Sequence, residues 1–137
     1  MAEILQPIAV TASLTLTKAK HAGNVVVCNA AAGMTATLPA SAGDGSVYTL
    51  FVGTTVTSNS FIVAAAGSDV INGGVGLATD IAGVTILANA ADSTITMSGS
   101  TTGGVVGSWV RLTDVSAGVW MLEGFLCSTG AEADPMS

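Results

Sequence analysis

The sequence predicts an all-β fold, an antiparallel β-sandwich or jelly-roll-like single domain, on three observations. Apolar and hydroxyl residues alternate with a period of two through most of the 137 residues. Val, Ile and Thr fill the alternating runs, and these residues suit a pleated, half-buried surface. Turn formers separate the runs at Gly43-Asp44-Gly45, Thr57-Ser58-Asn59, Asn72-Gly73-Gly74, Gly103-Gly104 and Ala117-Gly118. Asp-Gly and Asn-Gly supply the positive φ angles that tight turns require.

Taken in order, residues 1–7 read as an N-terminal arm, apolar at Ile4 and Leu5 and closed by Pro7. An apolar arm on a small domain suits docking onto a neighbour, and a first edge strand is the alternative. The β-rich domain spans residues 8–127. Ile8-Ala9-Val10-Thr11 leads into Ser13-Leu14-Thr15-Leu16-Thr17, and Lys18–Gly23 reads as a short basic turn with His21 exposed on it. Strand-like runs follow at Asn24–Cys28, Met34–Leu38, Val47–Val52 and Ser60–Ala65, then at Val84–Leu87, Ser93–Met97, Ser108–Thr113 and Val119–Leu126. The Ala-rich pieces Asn29–Gly33 and Ala64–Ala66 are too short to hold a helix alone and read as loop and strand end. Gly67–Asp80 lacks clean periodicity and reads as a long loop. Residues 128–137 read as a flexible acidic tail. About nine strands at this spacing point to a sandwich, jelly roll or barrel.

Only 9% of the residues are charged, so the surface is built mostly from Thr, Ser, Asn and Gly. With half the residues hydrophobic, the chain is neither a disordered polyelectrolyte nor a helical protein with a Lys- and Glu-rich outer face. Three basic residues (Lys18, Lys20, Arg111) against nine acidic ones give a net charge of −6. A nucleic-acid partner is therefore not expected, because no basic footprint exists to displace counterions. The mean hydropathy of +0.69 does not translate into a membrane span. Ser60–Ala66 and Val84–Ala91 fall far short of the roughly 20 apolar residues a helix needs to cross a bilayer. Six aromatic residues are too few for the girdles of a membrane barrel. The N-terminus lacks a basic start followed by an apolar run, so neither a secretory signal nor a membrane partner is expected. A surface this poor in charge suits subunit contacts, and a homo-oligomer is expected.

No motif points to catalysis or to a cofactor. His21 has no nucleophile elbow of the form Gly-x-Ser-x-Gly to serve. The acidic residues are scattered singly, and Asp44, Asp69, Asp92 and Asp114 sit beside turn residues, where Asx-turns account for them. Gly67–Gly74 looks like a single Gly- and Asp-rich calcium nonapeptide, but such sites need tandem copies. Gly43-Asp44-Gly45 lacks the third glycine and the following helix of a dinucleotide fingerprint. Cys28 and Cys127 belong to no Cys-x-x-Cys pair, and one histidine cannot complete a zinc set. They read as reduced, buried thiols, with a disulfide between first and last strands as the alternative. Trp109 and Trp120 fall on strands that form a hairpin about Ala117-Gly118. With Phe125 they read as core or subunit-interface residues rather than a stacking platform.

From Asn24 to Gly124 the chain resembles a module of bacteriophage virion proteins. The resemblance is carried by Thr37-Leu38-Pro39-Ala40, the Gly43-Asp44-Gly45 turn and the strand Tyr48-Thr49-Leu50-Phe51-Val52. It continues through Asp69-Val70-Ile71-Asn72-Gly73, Ser108-Trp109-Val110-Arg111-Leu112 and Gly118-Val119-Trp120. Similar modules occur in capsid decoration (cement) proteins and in tail-fibre segments, usually as trimers. The long repeats and coiled coil of a fibre shaft are missing here, which favours decoration. The resemblance implies a virion protein without enzymatic activity or cofactor, a homotrimer whose partner is the major capsid protein. Ile4, Leu5 and Pro7 are then candidate capsid anchors, and Trp109, Trp120 and Phe125 candidate core or trimer-interface residues. The alternative it implies is a tail-fibre tip that binds a host glycan on Trp109 and Trp120.

Overall fold

The computed structural model describes residues 6–78 and 84–137. Eleven strands and one helical turn follow one another as β1 (Ile8–Val10), β2 (Leu14–Thr15), α1 (Lys18–His21), β3 (Val25–Cys28), β4 (Met34–Thr37) and β5 (Val47–Val52). They continue as β6 (Phe61–Ala64), β7 (Val70–Ala78), β8 (Val84–Asp92), β9 (Thr94–Met97), β10 (Trp109–Ser116) and β11 (Val119–Cys127). Two sheets form, a large one ordered β1-β3-β5-β10-β11-β7-β8 and a small one ordered β2-β4-β6-β9. The all-β sandwich expected from the alternation is therefore present. Among the described residues no helix is long and apolar enough to cross a membrane.

Pairing within the sheets is mixed rather than antiparallel throughout. The first six strands alternate between the sheets, so β1, β3 and β5 pair parallel in one while β2, β4 and β6 pair parallel in the other. Parallel neighbours need a crossover between them, and here the crossover is a strand of the opposite sheet. The Gly- and Asn-rich separators in this half carry the chain across the sandwich instead of reversing it into a hairpin. Antiparallel pairs appear later, in β7–β8 and in β10–β11, and β10 also runs antiparallel to β5.

Alternation decides which side chains meet in the middle. The large sheet turns Val26, Leu50, Val110, Leu112, Trp120 and Leu122 inward, and the small sheet answers with Met34, Ala36, Phe61, Val63, Ile95 and Met97, all buried. Each such Val, Leu, Ile, Phe or Met side chain contributes about 1.5–3 kcal/mol by leaving water. Tyr48 and Trp120 meet edge to face with centroids 5.6 Å apart.

Three segments depart from the sequence reading. Residues 70–78, expected within a long loop, form β7. Its Ile71, Val75 and Leu77 face the core, while Gly73, Gly74 and Gly76 leave no side chains to mark the alternation. Gly73 has φ +133°, and a Cβ there would collide with the Leu122 carbonyl oxygen. Only glycine lets β7 approach β11 so closely, and a bulge at Ala91 (φ 113°) on β8 lies opposite. The Lys18–Gly23 segment is not an open turn but contains the helical turn α1, and His21 is buried. Residues 128–137, expected as a flexible tail, fold back onto β9. Met136 bridges Ile95 and is 7% exposed, and the Thr94 N–H donates to the Ser137 carbonyl at 2.8 Å. The segment thereby covers the hydrogen-bonding edge of β9, an edge that would otherwise invite foreign strands.

Candidate functional site

Among the described residues, His21, Asp114 and Ser108 are buried polar side chains with hydrogen bonds inside the fold. The His21 Nδ1 accepts the Thr17 N–H at 2.9 Å. Burial, with a smaller contribution from the Lys20 charge, holds its pKa below the ordinary 6.5, so the ring is neutral near pH 7. Asp114 is buried on β10, where its two carboxylate oxygens accept the N–H groups of Ala42 at 2.9 Å and Gly43 at 2.7 Å. That pair of bonds ties the Gly43–Gly45 turn to the large sheet across some 70 residues of sequence. The Ser108 hydroxyl donates to the Val105 carbonyl at 2.8 Å and accepts the Cys127 N–H at 2.9 Å.

Asp44 forms an Asx-turn by accepting the Ser46 N–H, and it pairs with Lys18 at 2.7 Å. The hydrogen bond from Lys18, then those from Ser46, hold the Asp44 carboxyl well below the usual range; the same contact raises Lys18. Both cysteines are free thiols. Cys28 is buried, and burial pushes its pKa up to about 12. Among the described residues no three His, Cys, Asp or Glu side chains gather into a metal-binding group.

What the fold organises at the surface is the outward face of the large sheet. Register places Ala9, Val27, Phe51, Trp109, Phe125 and Gly76 in one row, each paired with the next across six strands. Phe51 and Trp109 are half-buried and Phe125 is 37% exposed. Three of the six aromatic residues thus share this row, while Tyr48, Phe61 and Trp120 fill the core. Beside the row, Arg111 pairs with Glu123 at 3.1 Å and its guanidinium carbon lies 5.7 Å from the Trp109 ring centroid. Val25, 40% exposed, lies in the same row as Arg111 and Glu123, and Met121, 43% exposed, lies one row further along, beside Thr113.

The outward face of the small sheet is different. Its positions are Thr15, Thr35, Thr37, Ile62, Ala64, Thr94 and Thr96, so hydroxyls dominate. The two sides of the sandwich therefore differ: the large sheet carries an aromatic row beside Thr49, Thr113 and the Arg111–Glu123 pair, and the small sheet carries mostly threonines.

The residues singled out from sequence separate accordingly. Trp120 lies in the core at 0% exposure, whereas Trp109 and Phe125 lie side by side on the outward row. Because the two tryptophans point to opposite sides of the sheet, they cannot form one sugar-stacking platform. Pro7 is exposed beside a depression lined by Gln6, Gly23, Asn24 and Val25. Ile4 and Leu5 lie outside the described residues. Sequence reasoning missed Phe51, Val25 and Met121. The odd positions of the alternating runs carried that signal, since there the apolar residues fall on the outward side of their strands. Comparison with protein-family models, with curated proteins and with solved structures finds no match to this chain.

Proposed function

We propose that this chain is a structural virion protein that decorates a bacteriophage capsid, acting as a homotrimer that bridges and stabilises major capsid subunits. The observation that carries this reading is the continuous aromatic row on the outward face of the large sheet, a surface suited to contact with other protein. The resemblance of Asn24–Gly124 to phage virion modules supports the same reading, and decoration requires no cofactor. A trimer gains from three modest attachments acting at high effective concentration. The N-terminal arm, with Ile4, Leu5 and Pro7, is the candidate capsid anchor. Removal of residues 1–7 is expected to abolish capsid binding and leave the trimer intact, and unchanged binding would refute the anchor.

The test of the function is copy number per particle, by quantitative mass spectrometry against the major capsid protein. Copies in the hundreds, in simple ratio to shell subunits, are expected, and absence from the particle overturns the reading. One observation favours a second reading, a tail-fibre tip that binds a glycan: the half-buried Trp109 with Arg111 beside it. A handful of copies per particle together with binding on a glycan array would select it.

A further inference from the structure

We infer that the outward face of the large sheet, centred on Phe51, Trp109 and Phe125, is where a second copy of this chain packs. The inference deepens the self-association in the proposed function and does not depend on the capsid.

Three observations favour a second copy over another partner. The first is charge. Arg111 and Glu123 are adjacent to the aromatic row and already paired at 3.1 Å, so they cancel. A chain of net charge −6 that presents a face of no net charge gives a basic macromolecule no reason to choose this side. An equally neutral apolar surface is the matching partner, and the same face of another copy is one.

The second is size. Seven strands at about 4.8 Å spacing and up to nine residues in length give a face of about 600–800 Å². A stable interface of standard size takes about 800 Å² from each partner. The whole face thus matches what one partner contributes to an interface of standard size.

The third is contrast. The small sheet turns mostly threonines outward, whereas the large sheet places three aromatics in one continuous row, with Thr49, Thr113 and the Arg111–Glu123 pair beside it. Aromatic residues with a neighbouring arginine are also the composition that dominates interface energetics.

The test is the assembly state of the full chain by sedimentation velocity across a dilution series, with three variants. Phe125→Asp and Met121→Lys place a charge on this face at side chains that are already exposed. Thr35→Asp places one on the opposite face. Wild type is expected to sediment as an oligomer, and Thr35→Asp as the same oligomer. Each of the first two variants is expected to weaken association about thirtyfold or more, as loss of an interface hot spot does. The far-ultraviolet spectrum and the near-ultraviolet signal of the buried Tyr48–Trp120 pair should stay native in both.

Should one variant misfold, the other decides. A monomeric wild type overturns the inference, as do folded variants on this face that assemble like wild type. Greater disruption by Thr35→Asp also overturns it, since the small sheet would then be the interface. A dimer disrupted by these variants would refute the trimer of the proposed function and leave this interface standing. Absence from virions would refute only the capsid role.

Discussion

Replacing Asp114 by Ala should destabilise the protein by about 2–4 kcal/mol, although the residue belongs to no site. Its carboxylate accepts two backbone N–H groups at 2.7 and 2.9 Å from the Ala42–Gly43 segment. Hydrogen bonds to a charged group contribute about 1.5–3 kcal/mol each, which sets an upper bound near 6 kcal/mol for the two. Ala42 and Gly43 are exposed, so water can satisfy both donors once the carboxylate is gone, and the loss falls toward the lower half of that range. The backbone bonds from Gly45 N–H to the Asp114 carbonyl and from Asp114 N–H to the Ser46 carbonyl remain, at 2.9 Å each. Asp114→Asn keeps one acceptor oxygen and turns an NH₂ group toward the other donor, so about half the loss is expected.

The assay is equilibrium urea unfolding followed by tryptophan fluorescence. With a slope of about 1.5 kcal/mol/M for a domain of this size, the Ala variant should lower the midpoint by about 1.3–2.7 M at unchanged slope. A shift below about 0.3 M would mean that the turn holds its place without the carboxylate, and would refute the clamp.

Alkylation of the native protein should modify Cys127 first and leave Cys28 untouched until denaturant is added, because Cys28 is buried with its pKa pushed up to about 12; equal rates by peptide mass spectrometry would refute this. Stability should fall on acidification, because His21 and Asp44 both have pKa values below those of the unfolded chain, which therefore binds more protons at low pH. The His21 contribution is fully present above 6.5 and is lost as pH falls from there through its depressed value, while that of Asp44 is lost only below 3.8. His21→Phe should flatten the first step in urea midpoints measured against pH, and an unchanged profile would refute the assignment. Gly73→Ala should cost about 3 kcal/mol, some 10 °C in melting temperature, since it combines a positive φ with a backbone collision. A melting temperature within about 2 °C of wild type would show that β7 can move away from β11.

The sequence made some elements legible and hid others for physical reasons. Strand β5 occupies the predicted Val47–Val52 without adjustment, because Tyr48, Leu50 and Val52 set its buried side and a Gly-Asp-Gly turn precedes it, even though Val47 and Phe51 place apolar residues on the outer side. Trp109 and Phe125 are cross-strand partners, as the hairpin about Ala117-Gly118 implies. Parallel pairing was hidden, since a Gly-rich separator looks the same whether it reverses a strand or carries it to the other sheet. Strand β7 was hidden by glycines, whose missing side chains erase the pattern while the backbone keeps its hydrogen bonds. Asp114 was assigned to a local Asx-turn, yet its partners lie some 70 residues away, beyond any local signal. The aromatic row is a product of register between strands far apart in sequence. Phe51 is recognisable as part of a surface only once β5 is known to lie beside β10.

The position of β10 has a consequence for how the chain reaches this structure. In the large sheet β10 lies directly beside β5, yet more than fifty residues separate their ends. A growing chain that has completed β1 to β6 therefore carries a finished parallel coil with the row of N–H and C=O groups along β5 still open. That edge stays unpaired until the hairpin of β10 and β11 exists, and the hairpin must also receive β7 on its far side. Folding dominated by such distant pairings is slow, on a scale of about milliseconds to seconds. During that interval the open edge of β5 is the place where a neighbouring chain can add a strand. Truncations that end before residue 109 are thus expected to aggregate rather than to yield a smaller folded domain.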